Sequence, residues 1–171
     1  MSSADEVIAA VVVRARDLGA ELRPGDVRLE YADPAGAASY RLVRATWGAG
    51  ASYDGLAGLV DSDGAPDLLP SHAIGTLVHG WSGDAAGAAE AVAFVLDPLA
   101  RWAPLLTPSD VASWRSVDGP VGAPELADDS LDFWWCRDDV AQQMLVTVDD
   151  SGHATVNGGR TAVLDDTGGA P

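Results

Sequence analysis

Residues 131–164 constrain the fold more than any other stretch. Four apolar-rich segments, 131–136, 140–148, 153–157 and 160–164, are separated by Arg137-Asp138-Asp139, Asp149-Asp150-Ser151-Gly152 and Gly158-Gly159. Links that are short and rich in Asp and Gly suit tight turns, so this pattern predicts an up-and-down meander of antiparallel strands.

The segments before it alternate between helical and extended signals. Ser3 and Glu6 match a capping box; Val7, Val11, Ala15 and Leu18 then recur at helical spacing up to Gly19, which predicts a helix over 4–18. Val27, Leu29 and Tyr31 alternate with Arg28 and Glu30, as in a half-exposed strand, and 40–47 reads as a second strand. Segments 56–60 and 73–79 read as strands around the turn cluster Asp61-Ser62-Asp63-Gly64. Residues 84–96 are Ala-rich and helical, closed by Asp97-Pro98, and Thr107-Pro108-Ser109-Asp110 opens another helix towards Trp114. Residues 117–127 form a loop. The expected fold is therefore α+β: a curved antiparallel sheet with an N-terminal helix and central helices packed on one face, completed by the C-terminal meander. A single domain over residues 1–171 is expected, with 165–171 as a flexible tail.

Residues 7–38 are similar in pattern to the small docking domains that begin some nonribosomal peptide synthetase subunits. The matching stretches are Leu18-Gly19-Ala20-Glu21-Leu22, Gly25-Asp26-Val27-Arg28-Leu29 and Ala32-Asp33-Pro34-Ala35-Gly36. That family continues into a second helix, whereas Ser39-Tyr40-Arg41-Leu42 here leads into a strand, so the resemblance carries no function over.

Charge narrows the choice of partner. Residues 1–44 hold seven acids and six arginines, a net of −1, while residues 45–171 hold nineteen acids and four arginines, a net of −15. A field this one-sided repels nucleic acid and anionic membrane and attracts basic protein surfaces. The absence of Lys, with abundant Ala, Gly, Asp, Val and Arg, fits GC-rich codon usage of the actinobacterial kind, but that bias supplies Arg freely and leaves the acid excess unexplained. The lone Cys136 excludes an internal disulfide, the N-terminus lacks the positive start of a secretory signal, and the apolar run 7–13 is too short to span a bilayer. A cytoplasmic location is expected.

In a four-stranded meander, alternating direction would bring Asp128-Asp129, Asp149-Asp150 and Asp165-Asp166 to one sheet edge within about 15 Å, with Asp138-Asp139 opposite. Six carboxylates there could face basic side chains of a partner, bind a hard cation, or act simply as good turn residues. Asp61-Ser62-Asp63-Gly64 lacks the later ligands of a calcium loop, and no metal or cofactor is expected. In Phe133-Trp134-Trp135-Cys136 alternate residues face opposite ways, so Trp134 or Trp135 could be presented outward as an interface anchor, or both could pack internally. Cys136 beside Arg137 could be an activated thiol. His72, His79 and His153 match no standard ligand spacing. Residues 48–53 fail the dinucleotide fingerprint, and no phosphate loop, nucleophile elbow or Cys-x-x-Cys pair is present.

The leading expectation is a non-catalytic acidic protein that binds a basic protein partner through Asp128, Asp129, Trp134, Trp135, Asp149, Asp150, Asp165 and Asp166. A toxin-neutralising immunity protein is its most concrete form. The alternative is a small-molecule-binding or enzymatic α+β cone with a pocket lined by Trp47, Trp81, Trp102, Trp114, Trp134 and Trp135. A third possibility is an assembly subunit; the oligomeric state is left open.

Overall fold

The computed structural model describes residues 4–37, 39–48 and 54–164. Helix α1 (Ala4–Asp17) buries Val7, Val11 and Ala15, whose four-residue spacing returns each to the same face. Its C-terminus closes as the sequence predicts. The amide of Ala20 donates to the Ala15 carbonyl and that of Gly19 to Arg16, each at 2.9 Å, with Gly19 at φ +87°. This Schellman closure needs a left-handed residue that glycine adopts without strain. Ser3 of the expected capping box lies outside the described residues.

Helix α1 covers one face of a four-stranded antiparallel sheet, ordered β1 (Arg28–Ala32), β2 (Tyr40–Trp47), β3 (Asp54–Asp61) and β4 (Pro66–Asp67). The two-residue strand period sends Val43, Ala45 and Trp47 of β2, with Leu56 and Val60 of β3, towards α1. It sends Leu42 and Leu59 the other way, into a core built on α2 (Pro70–Gly80) and α3 (Ala85–Leu96).

Segment 73–79, read as a strand, is helical. Pro70 sits in the first turn, and Ala73, Ile74, Leu77 and Val78 are all buried. That i, i+1, i+4, i+5 stripe is helical, and it outweighs the β-branched side chains that suggested extension. Asp84 caps α3, its side chain accepting the Gly87 amide at 2.8 Å.

The second sheet packs on the far side of α2 and α3. It comprises β5 (Ala103–Leu105), β6 (Trp114–Arg115), β7 (Glu125–Ala127), β8 (Ser130–Arg137), β9 (Val140–Val148) and β10 (Ala154–Leu164), in the order β5-β8-β9-β10-β6 with β7 also on β8. The expected helix from Thr107 stops after one turn, α4 (Pro108–Val111). Its capping box forms: the Asp110 amide donates to Thr107 Oγ1 at 3.2 Å and the Thr107 amide to Asp110 Oδ2 at 2.8 Å.

Gly158-Gly159 is not a turn. β10 runs on through it, with a register shift against β9 between Gly158 and Thr161. The amide of Gln142 lies over Gly158 and that of Gln143 over Gly159, so a side chain on Gly158 would collide with the first and one on Gly159 would press on the second. The glycines therefore mark a bulge, where the extra residue re-aims the strand. The meander has three long strands, β8, β9 and β10.

The α+β class, the antiparallel pairing, the central helices and the C-terminal meander match the sequence reading, with the pairing divided between two sheets. Among the described residues no helix is long and apolar enough to cross a membrane.

Candidate functional site

The amide of Val148 donates to the carbonyl of Asp129 at 2.8 Å, which places the β7–β8 turn beside the β9–β10 turn. Asp128, Asp129, Asp149 and Asp150 are all exposed there, so four of the six expected carboxylates share one strand end. Asp165 and Asp166 lie outside the described residues, and the path on which they were grouped with the others is not the one taken. Because β10 is unbroken, its last described residue, Leu164, reaches the other end and donates to the Asp139 carbonyl at 3.1 Å. The eight residues of β8 separate the two ends by about 25 Å.

The four carboxylates play different parts. Asp149 Oδ1 accepts from the amides of Ser151 (2.9 Å) and His153 (3.0 Å) and from the Ser151 hydroxyl (2.6 Å). The hydroxyl of Ser151 and then the amide of His153 hold its carboxyl below the usual value of 3.8. Asp149 thus builds the turn. Asp128, Asp129 and Asp150 carry no ion pair and no side-chain hydrogen bond among the described residues.

Beside this turn, Ser151, His153 and Asp149 have the residue types of a hydrolytic triad in a different order. The Ser151 proton goes to Asp149, so Ser151 Oγ accepts from His153 Nδ1 at 3.0 Å. An activated serine needs the reverse arrangement, with its proton donated to histidine. The His153 ring lies 5.8 Å from the His72 ring on α2. His72 donates through Nδ1 to Asp67 Oδ2, while Asp67 Oδ1 accepts the Leu69 amide at 3.1 Å. With Tyr40, Thr76 and His79, His72 lines a shallow recess of about 340 Å³. Among the described residues no three His, Cys, Asp or Glu side chains converge to hold a metal ion.

Neither expected aromatic anchor is presented. Trp134 is 2% exposed and Trp135 is 9% exposed. Trp135 faces α2 and α3, stacking on Trp102 at 5.2 Å and lying nearly perpendicular to Phe133. Trp134 faces the opposite side, packed with Leu105, Trp114, Ala141 and Ala162. Over its ring, at 5.4 Å, lies the guanidinium of Arg160. Arg160 Nε donates to Gln143 Oε1 (2.8 Å), and Gln143 Nε2 donates to Asp132 Oδ2 (2.7 Å). This polar bridge across β8, β9 and β10 is absent from the sequence reading. Its signal, a polar Gln143 among the apolar residues of β9, was visible but pointed to no partner. Cys136 is not activated: burial, and secondarily Asp110, push its thiol above the ordinary value.

The tryptophan-lined cone is not formed either. Trp47 belongs to the α1 core, Trp102 and Trp135 to the core on α2 and α3, and Trp114 and Trp134 to the outer core. Trp81 packs against the core on α2 and α3 and also borders a cleft of about 520 Å³ between the β1–β2 loop and α3. Set against known proteins, the chain matches no family model, no curated protein and no solved structure.

Proposed function

We propose that the chain is a non-catalytic binding protein that engages a basic protein partner through the acidic end formed by the β7–β8 and β9–β10 turns. One observation carries this reading: each arginine after residue 44 already contacts another group of this chain, while the exposed carboxylates Asp128, Asp129 and Asp150 at that end have no such partner among the described residues. Arg101 pairs with Asp97 (3.8 Å) and Arg137 with Asp138 (3.8 Å), Arg115 donates to the carbonyls of Ala112 and Trp114, and Arg160 is held by Gln143 and Asp118. The net charge of −15 in this part of the chain thus includes exposed carboxylates at that end, Asp128, Asp129 and Asp150, that no arginine among the described residues neutralises. Such a surface speeds encounter with a basic partner and disfavours acidic ones. A neutraliser of a basic toxin, acting in the cytoplasm, is the most concrete form of this proposal.

The test is a tagged pull-down from the native host at about 50 mM salt, released by a step to about 500 mM, where screening shortens from over 10 Å to a few Å. A basic protein released by the step supports the reading. A complex that survives the step refutes its electrostatic basis.

A further inference from the structure

We infer that the cleft beside Trp81 receives an arginine side chain of that basic partner, an inference that rests on the reading above and adds its recognition pocket. The argument begins with how Trp81 is held. Its indole sits against Gly36, Gly83 and Gly87, and a methyl group on any of the three would run into the ring. Trp81 Nε1 donates to the Asp84 carbonyl at 2.9 Å, and the Ser82 amide donates to the Gly36 carbonyl at 3.0 Å. The indole is thus fixed yet only partly buried, a pre-organised aromatic wall of the kind that anchors interfaces at low entropic cost.

Leu42, Ala91 and Phe94 supply the apolar remainder of the cleft, and Asp33, Asp84 and Glu90 supply its charge. Two of these carboxylates are occupied. Asp33 pairs with Arg41 at 2.6 Å, and Asp84 accepts the Gly87 amide at 2.8 Å. Glu90, exposed on α3, has no ion pair or hydrogen bond among the described residues. The cations beside the cleft are both paired: Arg41 with Asp33, and Arg44, which lies 4.0 Å over the Phe94 ring, with Glu30 at 3.2 Å.

An apolar slot with a fixed indole on one side and an uncompensated carboxylate on its lip fits a cation on an apolar stem. Arginine fits better than lysine because its flat guanidinium stacks on an aromatic face while pairing with a carboxylate. The fold already seats guanidinium groups on Tyr31, Phe94 and Trp134, at 4.8, 4.0 and 5.4 Å. Charge complementarity with a chain of net −16 selects the same occupant.

The full ¹⁵N-labelled chain is titrated with acetyl-Gly-Arg-Gly-amide and with its glutamine counterpart, and the six tryptophan indole N–H resonances are followed. Trp81 is assigned with a Trp81→Phe variant. The expected result is a saturable shift at Trp81 with the arginine peptide alone, its affinity lowered about two- to fivefold in Glu90→Gln, as for loss of an exposed ion pair. Glu90 is exposed, so this variant keeps its fold and its unperturbed spectrum serves as the check. Equal shifts with the glutamine peptide, or no shift at Trp81, overturn the arginine pocket. Shifts confined to the Asp129 and Asp150 amides overturn the pocket while leaving the acidic-end proposal standing. That proposal fails separately, in the pull-down.

Discussion

The guanidinium of Arg160 lies 5.4 Å from the centroid of the Trp134 ring, over a side chain that the sequence allowed as an outward interface anchor. The bulge at Gly158–Thr161 turns Arg160 onto this face, and Gln143 then joins it to Asp132. An aromatic residue that could have been an interface anchor is thereby a covered part of the sheet.

The bridge should be costly to break from its centre. Gln143 is buried, and its amide serves Arg160 on one side and Asp132 on the other. Gln143→Ala strands both partners and should lower unfolding stability by about 2–3 kcal/mol, read by urea denaturation. Unchanged stability would show that the bridge contributes little.

Asp132 carries a pH signature. Burial holds its carboxyl above the usual 3.8, partly offset by the Gln143 hydrogen bond. The folded state therefore binds this proton more tightly than the unfolded chain does, and stability falls as pH rises through the folded value. Asp132→Asn removes that penalty and can still accept from Gln143. The variant should exceed wild type in stability at pH 7 and converge with it below about pH 3.8, the ordinary value. Thermal melts across pH provide the check.

Asp149 titrates with the opposite sign. Its carboxyl is held below the usual 3.8 by the Ser151 hydroxyl and the His153 amide, so its stabilisation is present above that value and lost as pH falls through the depressed one. Amide shifts of Ser151 and His153 should move together in that acid range in wild type. In Asp149→Asn they should not.

Gly75 offers a contrast between local and tertiary effects. In isolation, Gly→Ala within α2 would favour the helix by about 1 kcal/mol. A methyl there, however, would meet the carbonyl oxygen of Gly152, where α2 touches the β9–β10 turn. Both parts are backbone and neither can yield cheaply, so Gly75→Ala should destabilise by about 1–3 kcal/mol. A more stable variant would contradict the close approach.

These elements show where the sequence was legible. Turn chemistry identified β9 at Val140–Val148 to the residue, and Thr107-Pro108-Ser109-Asp110 gave the capping box of α4. Both are local signals, carried by residues adjacent in the chain. The failures came where distant groups decide. Ile74, Leu77 and Val78 suit a strand in isolation, yet two sheets needed a helix between them. Gly158-Gly159 has turn composition, but the glutamines of β9 lie over it and the strand continues through it as a bulge, so Leu164 ends beside Asp139 and not beside Asp128-Asp129. The Trp81 cleft joins residues 32–42 to residues 81–94, and no local pattern links those segments.

The central claim is that the position of the carboxylates matters, beyond their number. It is tested most directly by parallel pull-downs with Asp128→Asn/Asp150→Asn and Asp138→Asn/Asp139→Asn, two double variants with the same change in charge at opposite ends of the second sheet. The account predicts that the first loses the salt-released basic partner while the second retains it. Equal loss in both, or equal retention, would contradict it.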